Sequence, residues 1–196
     1  NRMKFDFVIP IGNGRIEPVR ATGPIGDAVL RIAALCSDAD IDPPIGDAVE
    51  VALLEPFPPA EIHDIRSTHT PLASQPFDSN RKMMSTLHDA PGGFELLTKG
   101  APEQVVARST RFMTGDGAID PFTAEARDAV LAEVGDLAMR GGRLLALALR
   151  DLDLVPDDLA AAEQDLILVG LAVLADPLRP EAAATVANVL EAGIHL

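Results

Sequence analysis

The chain of 196 residues is long enough for one substantial core, or one core with a small appendage. With 47% hydrophobic and 23% charged residues it has an ordinary globular balance, and no apolar run reaches the ~20 residues of a membrane helix. A formal net charge of -14 without a basic stripe argues against a nucleic-acid partner.

In chain order, residues 4–11, the turn Gly12-Asn13-Gly14 and residues 15–20 predict a β-hairpin. Residues 25–37 carry Val29, Ile32, Ala33 and Cys36 at helical spacing, and residues 48–54 repeat that periodicity. The same hexapeptide opens both stretches, Pro24-Ile25-Gly26-Asp27-Ala28-Val29 and Pro44-Ile45-Gly46-Asp47-Ala48-Val49. Each copy reads as a helix start, with a glycine and then an Asp favoured by the helix dipole. A short helix is expected over residues 60–66, then three strands over 70–77, 82–88 and 94–98, with turns at Asp78-Ser79-Asn80 and Pro91-Gly92-Gly93. Helices follow over residues 102–109 and 123–140; Thr123 is the N-cap of the second, Glu125 lies in its first turn, and Gly141-Gly142 stops it. Between them, residues 114–120 read as a hairpin tip. Strands over 144–149 and 166–174 and a helix over 179–192, ended by Gly193, complete the chain. The fold class is α+β, an antiparallel sheet flanked by helices.

Cations are scarce on this acidic chain. It has three lysines, and two of them, Lys82 and Lys99, sit on apolar, strand-like stretches where a bound polyanion gives a lysine a reason to be kept. Phe77 is one of seven Phe in a chain without Trp or Tyr. It lies beside Arg81 and Lys82, where a ring can stack on a base while cations face phosphate; spacing alone favours a core position. Adjacent on a strand, Arg81 and Lys82 should point to opposite faces, one into a site and the other to solvent or a partner. Lys99 ends a strand, and Gly100 at the strand-to-helix turn allows backbone to approach a ligand. Arg143 opens another apolar strand, either as a phosphate ligand or as a strand-edge charge. No G-x-x-x-x-G-K-[ST] loop is present.

Phe77-Asp78-Ser79-Asn80-Arg81-Lys82-Met83-Met84-Ser85 and Lys99-Gly100-Ala101-Pro102-Glu103 together resemble the nucleotide-binding domain of P-type cation-transporting ATPases, whose pattern reads F-[DS]-x-x-R-K-x-M-S followed by K-G-A-P-E. Gly46-Asp47 through Leu54 is similar to the G-D-x-x-E-x-A-L-L segment of the type II, calcium-pump-like branch, and Leu35-Cys36-Ser37-Asp38-Ala39 to its L-C-N-D-A. Gly142 to Ala148 looks like G-x-R-x-L-A-x-A, Asp176 to Glu181 like D-P-P-R-x-E with Leu178 in place of one proline, and Asn1-Arg2-Met3 and Ala192-Gly193-Ile194 like the segments beside the phosphorylation loops. The resemblance implies a hinge at residues 1–3, a nucleotide-binding domain at 4–175, and a return hinge with the first helix of a truncated, Rossmann-like phosphorylation domain at 176–196. It further implies ATP as substrate, Mg²⁺ carried with the nucleotide, and Glu50, Phe77, Lys82, Lys99, Gly100 and Arg143 as the ATP-binding residues. Lys99 and Gly100 would line the adenosine pocket, Glu50 would accept from the adenine amino group or orient Lys82, and Arg143 would hold a β- or γ-phosphate. The implied partners are the phosphorylation, actuator and transmembrane domains of one pump, on the cytoplasmic side of a cell membrane. The D-K-T-G-T, T-G-D and G-D-G-x-N-D segments do not occur, so the chain alone is expected to hold ATP and catalyse nothing.

Other constellations carry less. His63-Asp64, His69, His88 and His195 lack ligand spacing for zinc, and Gly115-Asp116-Gly117 reads as a surface turn. The single Cys36 excludes an internal disulfide and suits a reducing compartment, and residues 1–5 lack the apolar stretch of a signal peptide. The alternative function is a free-standing acidic interaction module of the same fold without nucleotide.

Overall fold

The computed structural model describes residues 4–10, 15–19 and 22–175. Eleven strands and five helices appear among them, and nine of the strands form one sheet. The sheet path begins with β2 (Ile16–Val19), β1 (Lys4–Pro10), β11 (Leu166–Ala175) and β10 (Arg143–Leu152). It continues through β7 (Gly93–Gly100) and β6 (Met83–Ala90) to β5 (Ala73–Asp78). Every pairing on this path is antiparallel. β8 (Ser109–Met113) breaks the rule, lying parallel to the start of β11 and pairing with the short β9 (Ile119–Pro121). β1 and β8 thus share one flank of β11. Gly170 stands at the changeover, where a Cβ would lie 2.7 Å from the Val8 carbonyl oxygen and 2.5 Å from the Phe7 ring.

Alternation along the central strands sorts the core onto two faces. Leu147 and Leu149 of β10 and Leu97 of β7 pack with α1 (Gly23–Leu35), α2 (Ala48–Leu54) and α3 (Pro59–Thr68). Ala146 and Ala148 of β10 and Leu96 of β7 face α4 (Pro102–Arg108) and α5 (Ala124–Met139). The α+β fold with helices over an antiparallel sheet is the one expected. α5 starts as the sequence requires, with Thr123 Oγ1 accepting from the Ala126 amide at 3.2 Å. The expected turn at residues 12–14 and everything expected beyond residue 175 lie outside the described residues.

The repeated hexapeptide takes two conformations. The second copy caps a helix as expected: Asp47 Oδ1 accepts from the Val49 amide at 2.9 Å. Its first two residues, Pro44 and Ile45, form strand β4 and pair with β3 (Asp40–Ile41). Gly46 makes the corner at φ +115°, with Ala39 Cα only 2.8 Å from where a Cβ would stand. In the first copy the helix has already begun, with Thr22 as N-cap, so Asp27 lies inside α1 and caps nothing. Pro24 is tolerated there because a first-turn residue needs no amide donor.

Candidate functional site

All six residues singled out in the sequence line one cavity of about 750 Å³, within the range of small-molecule sites. Glu50 reaches it from α2, Phe77 from the end of β5, Lys82 from the β5–β6 turn, Lys99 and Gly100 from the end of β7, and Arg143 from the start of β10. Lys99 is the floor: Met84 and Leu147 flank it in the sheet, and it is 5% exposed. Its ammonium pairs with Glu50 Oε1, and the Ser37 hydroxyl donates to the other carboxylate oxygen at 3.2 Å. Glu50 therefore orients Lys99, not Lys82 as one expectation had it; α2 packs over the middle of the sheet, while Lys82 belongs to a turn at its end.

Phe77 is 63% exposed although it ends a strand. It belongs to no core cluster, so its ring offers a face at the cavity wall. Beneath Lys99, Cys36 is buried and its thiol is pushed up to about 11 by burial, against the pull of the nearby Lys99 charge. The thiol stays protonated at neutral pH, with Sγ 3.4 Å from the Met84 carbonyl oxygen.

Arg81 and Lys82 diverge, but not by strand alternation. Strand β6 begins at Met83, and both cations lie in the preceding turn. Asp78 Oδ1 accepts from the Asn80 and Arg81 amides at 3.0 and 2.8 Å, which curls the turn and leaves Lys82 at φ +54°. The Lys82 ammonium lies 3.3 Å from Glu103 at the start of α4. Arg81 takes neither of the two faces expected for the pair: it pairs with Glu163, which is 1% exposed, and donates to the Pro76 carbonyl at 2.7 Å. Ser85 also donates to Glu163, at 2.6 Å, and shares a 2.9 Å hydrogen bond with Thr98. Sequence reasoning missed Glu163, because an acid after three alanines gives no sign that a distant guanidinium will bury it.

Gly100 has a tighter reason to be glycine than ligand approach. A Cβ there would stand 2.6 Å from the Lys82 carbonyl oxygen and 2.9 Å from Met83 Cα. The Lys82 carbonyl also accepts from the Ala101 amide at 2.9 Å, so Gly100 locks the Lys82 turn onto the end of β7. Arg143 is exposed and makes no ion pair among the described residues. Asp38 and Asp47 also line the cavity, on the α2 side. Among the described residues, no three His, Cys, Asp or Glu side chains converge to hold a metal ion, and no helix is long and apolar enough to cross a membrane.

The family described as P-type ATPase, cytoplasmic domain N, matches residues 27–181. Calcium-transporting ATPase 1 of Lactococcus lactis is 31% identical over 85% of this chain and 20% of its own length. A calcium-transporting ATPase of Listeria monocytogenes is 32% identical over 85% of this chain and 20% of its own, and calcium-transporting ATPase 1 of Saccharomyces cerevisiae 30% identical over 85% and 18%. The chain thus spans about one fifth of the length of these relatives. A sheet with helices on both faces, a cavity at one end of it and a family match over most of the chain lead to one assignment: this chain belongs to the cytoplasmic N domain family of P-type ATPases, and it is similar to the calcium-pump branch.

Proposed function

We propose that the cavity binds ATP and that the domain serves a membrane cation pump, presenting the γ-phosphate to an aspartate of a separate phosphorylation domain. The observation that carries the reading is the meeting of an exposed aromatic ring with two lysines and an arginine in one cavity of a chain whose formal net charge is -14. Adenine stacks on Phe77 against the floor made by Lys99 and Gly100. Lys99 already carries the counter-charge of Glu50, so it serves the uncharged end of the ligand through its remaining N–H donors. Lys82 and Arg143 lie where β7 ends and take the phosphates; Lys82 exchanges an exposed carboxylate for phosphate oxygens at little cost, since exposed pairs are worth about 0–1 kcal/mol. Mg²⁺ arrives on the phosphates. The transported cation is that of the parent pump, whose remaining domains are the partners of this one and hold it on the cytoplasmic side.

Titration of the chain with ATP, followed by NMR shifts, tests the reading. Stacking is worth roughly 1 to 3 kcal/mol per base, so Phe77→Ala should weaken ATP about tenfold or more. Its stability should hardly change, because the ring belongs to no core cluster. Equal affinities would remove Phe77 from the site; no binding at all would favour an acidic interaction module.

A further inference from the structure

We propose that Glu163 is a positioning residue for the phosphate end of the cavity, acting through Arg81 on Lys82; this rests on the nucleotide reading above. The β5–β6 turn carries two adjacent cations, and of the two only Lys82 lines the cavity. Glu163, in the loop that leads into β11, removes Arg81 from the competition by pairing with it under the sheet. The same carboxylate oxygen accepts from Ser85 of β6, and Arg81 reaches back to the Pro76 carbonyl on β5. A single buried acid thereby ties the strand before the turn, the strand after it and the loop ahead of β11. Lys82, the residue next to Arg81, is the member of the pair that lines the cavity, from a left-handed backbone position, with its half-exposed ammonium held among the described residues only by the exposed Glu103. Glu163 is not among the residues that line the cavity, so its effect on ligand runs through the turn that holds Arg81 and Lys82.

A double-mutant cycle decides the matter. ATP and AMP affinities are measured for the wild-type chain, Glu163→Gln, Lys82→Ala and the double variant. Glu163→Gln keeps the volume and an acceptor for Ser85 while removing the charge that holds Arg81, so it avoids the larger penalty of emptying the site. ATP should weaken about tenfold in Glu163→Gln, which is the scale of coupling between residues of one network, and AMP by much less. With Lys82→Ala already present, the further change should vanish. Val130→Ala, on the buried face of α5, serves as a variant destabilised away from the turn and should bind ATP like wild type. Glu163→Asp, which restores the charge, should recover most of the ATP affinity. Additive losses, equal losses of ATP and AMP, or a loss shared by Val130→Ala would each overturn the positioning role while leaving the nucleotide site standing. A wild-type chain that binds no adenine nucleotide would overturn both.

Discussion

Gly100→Ala and Gly135→Ala make the same chemical change, one methyl group, and the structure assigns them opposite signs. At Gly100 the new carbon would lie 2.6 Å from the Lys82 carbonyl oxygen, 2.7 Å from Met83 Cγ and 2.9 Å from Met83 Cα. Two of these three atoms are backbone, one in the turn bonded to Ala101 and one in the paired strand β6, and cannot swing aside. Overpacking of this kind costs about 1–3 kcal/mol, and prising the strands apart forfeits the 2.9 Å hydrogen bond from Ala101 to Lys82, about another 1 kcal/mol. A loss of about 2–4 kcal/mol is expected, together with weaker ATP binding because Lys82 moves. Gly135 lies inside α5 with nothing within 4 Å of its would-be Cβ. There alanine restores helix propensity and restrains the unfolded chain, a gain of about 0.4–1 kcal/mol. Urea denaturation of the two variants reads both effects directly. A midpoint for Gly100→Ala equal to or above wild type would refute the claim that the β6–β7 contact at this position is closed.

Lys82→Gly should leave the fold as stable as wild type, or up to about 1 kcal/mol more stable, because a left-handed side-chain residue costs roughly 1–2 kcal/mol. The same variant should weaken ATP more than AMP by calorimetry; equal losses would mean that Lys82 does not face phosphate. Burial, with His69 adding to it, lowers the pKa of His88, which is 2% exposed, below its ordinary 6.5. The unfolded chain therefore takes up the proton first, and stability present above 6.5 is lost as pH falls through the window beneath it. Denaturation at about pH 8 and about pH 5 should show a decline in wild type that shrinks in His88→Leu; an unchanged decline would place the acid sensitivity elsewhere.

Local chemistry made much of this fold legible. Helix α2 starts and stops where its apolar spacing and Asp47 cap require, and the strands of the long antiparallel path were visible from their turn residues. What local chemistry could not supply was the environment. The first Pro-Ile-Gly-Asp-Ala-Val copy lies wholly within a helix, whereas the second has its first two residues in a strand and turns at Gly46, where Ala39 closes on it. Strand β8 was unmarked beyond its hairpin tip, since its identity depends on a parallel partner more than fifty positions away in Leu166–Leu168. At the site, motif residues and cavity residues coincide, yet the division of labour within the Arg81-Lys82 pair was hidden. A turn bent by Asp78, and an acid 82 positions along the chain from Arg81, decide which cation is presented.

The Lys4–Ala175 pairing joins the first and last described strands side by side and antiparallel. Tension applied there to both strands would load the ladder one rung at a time, so it would unzip from Lys4↔Ala175 toward Val8↔Leu171 instead of shearing all at once. The mechanically soft point of the molecule is then that seam, whereas β5, β6 and β7, which carry Phe77, Met84, Lys99 and Gly100 of the cavity wall, lie beyond β10 and are spared the first steps. A pulling experiment through those two residues should therefore detach β1 at low force with the ligand pocket still assembled.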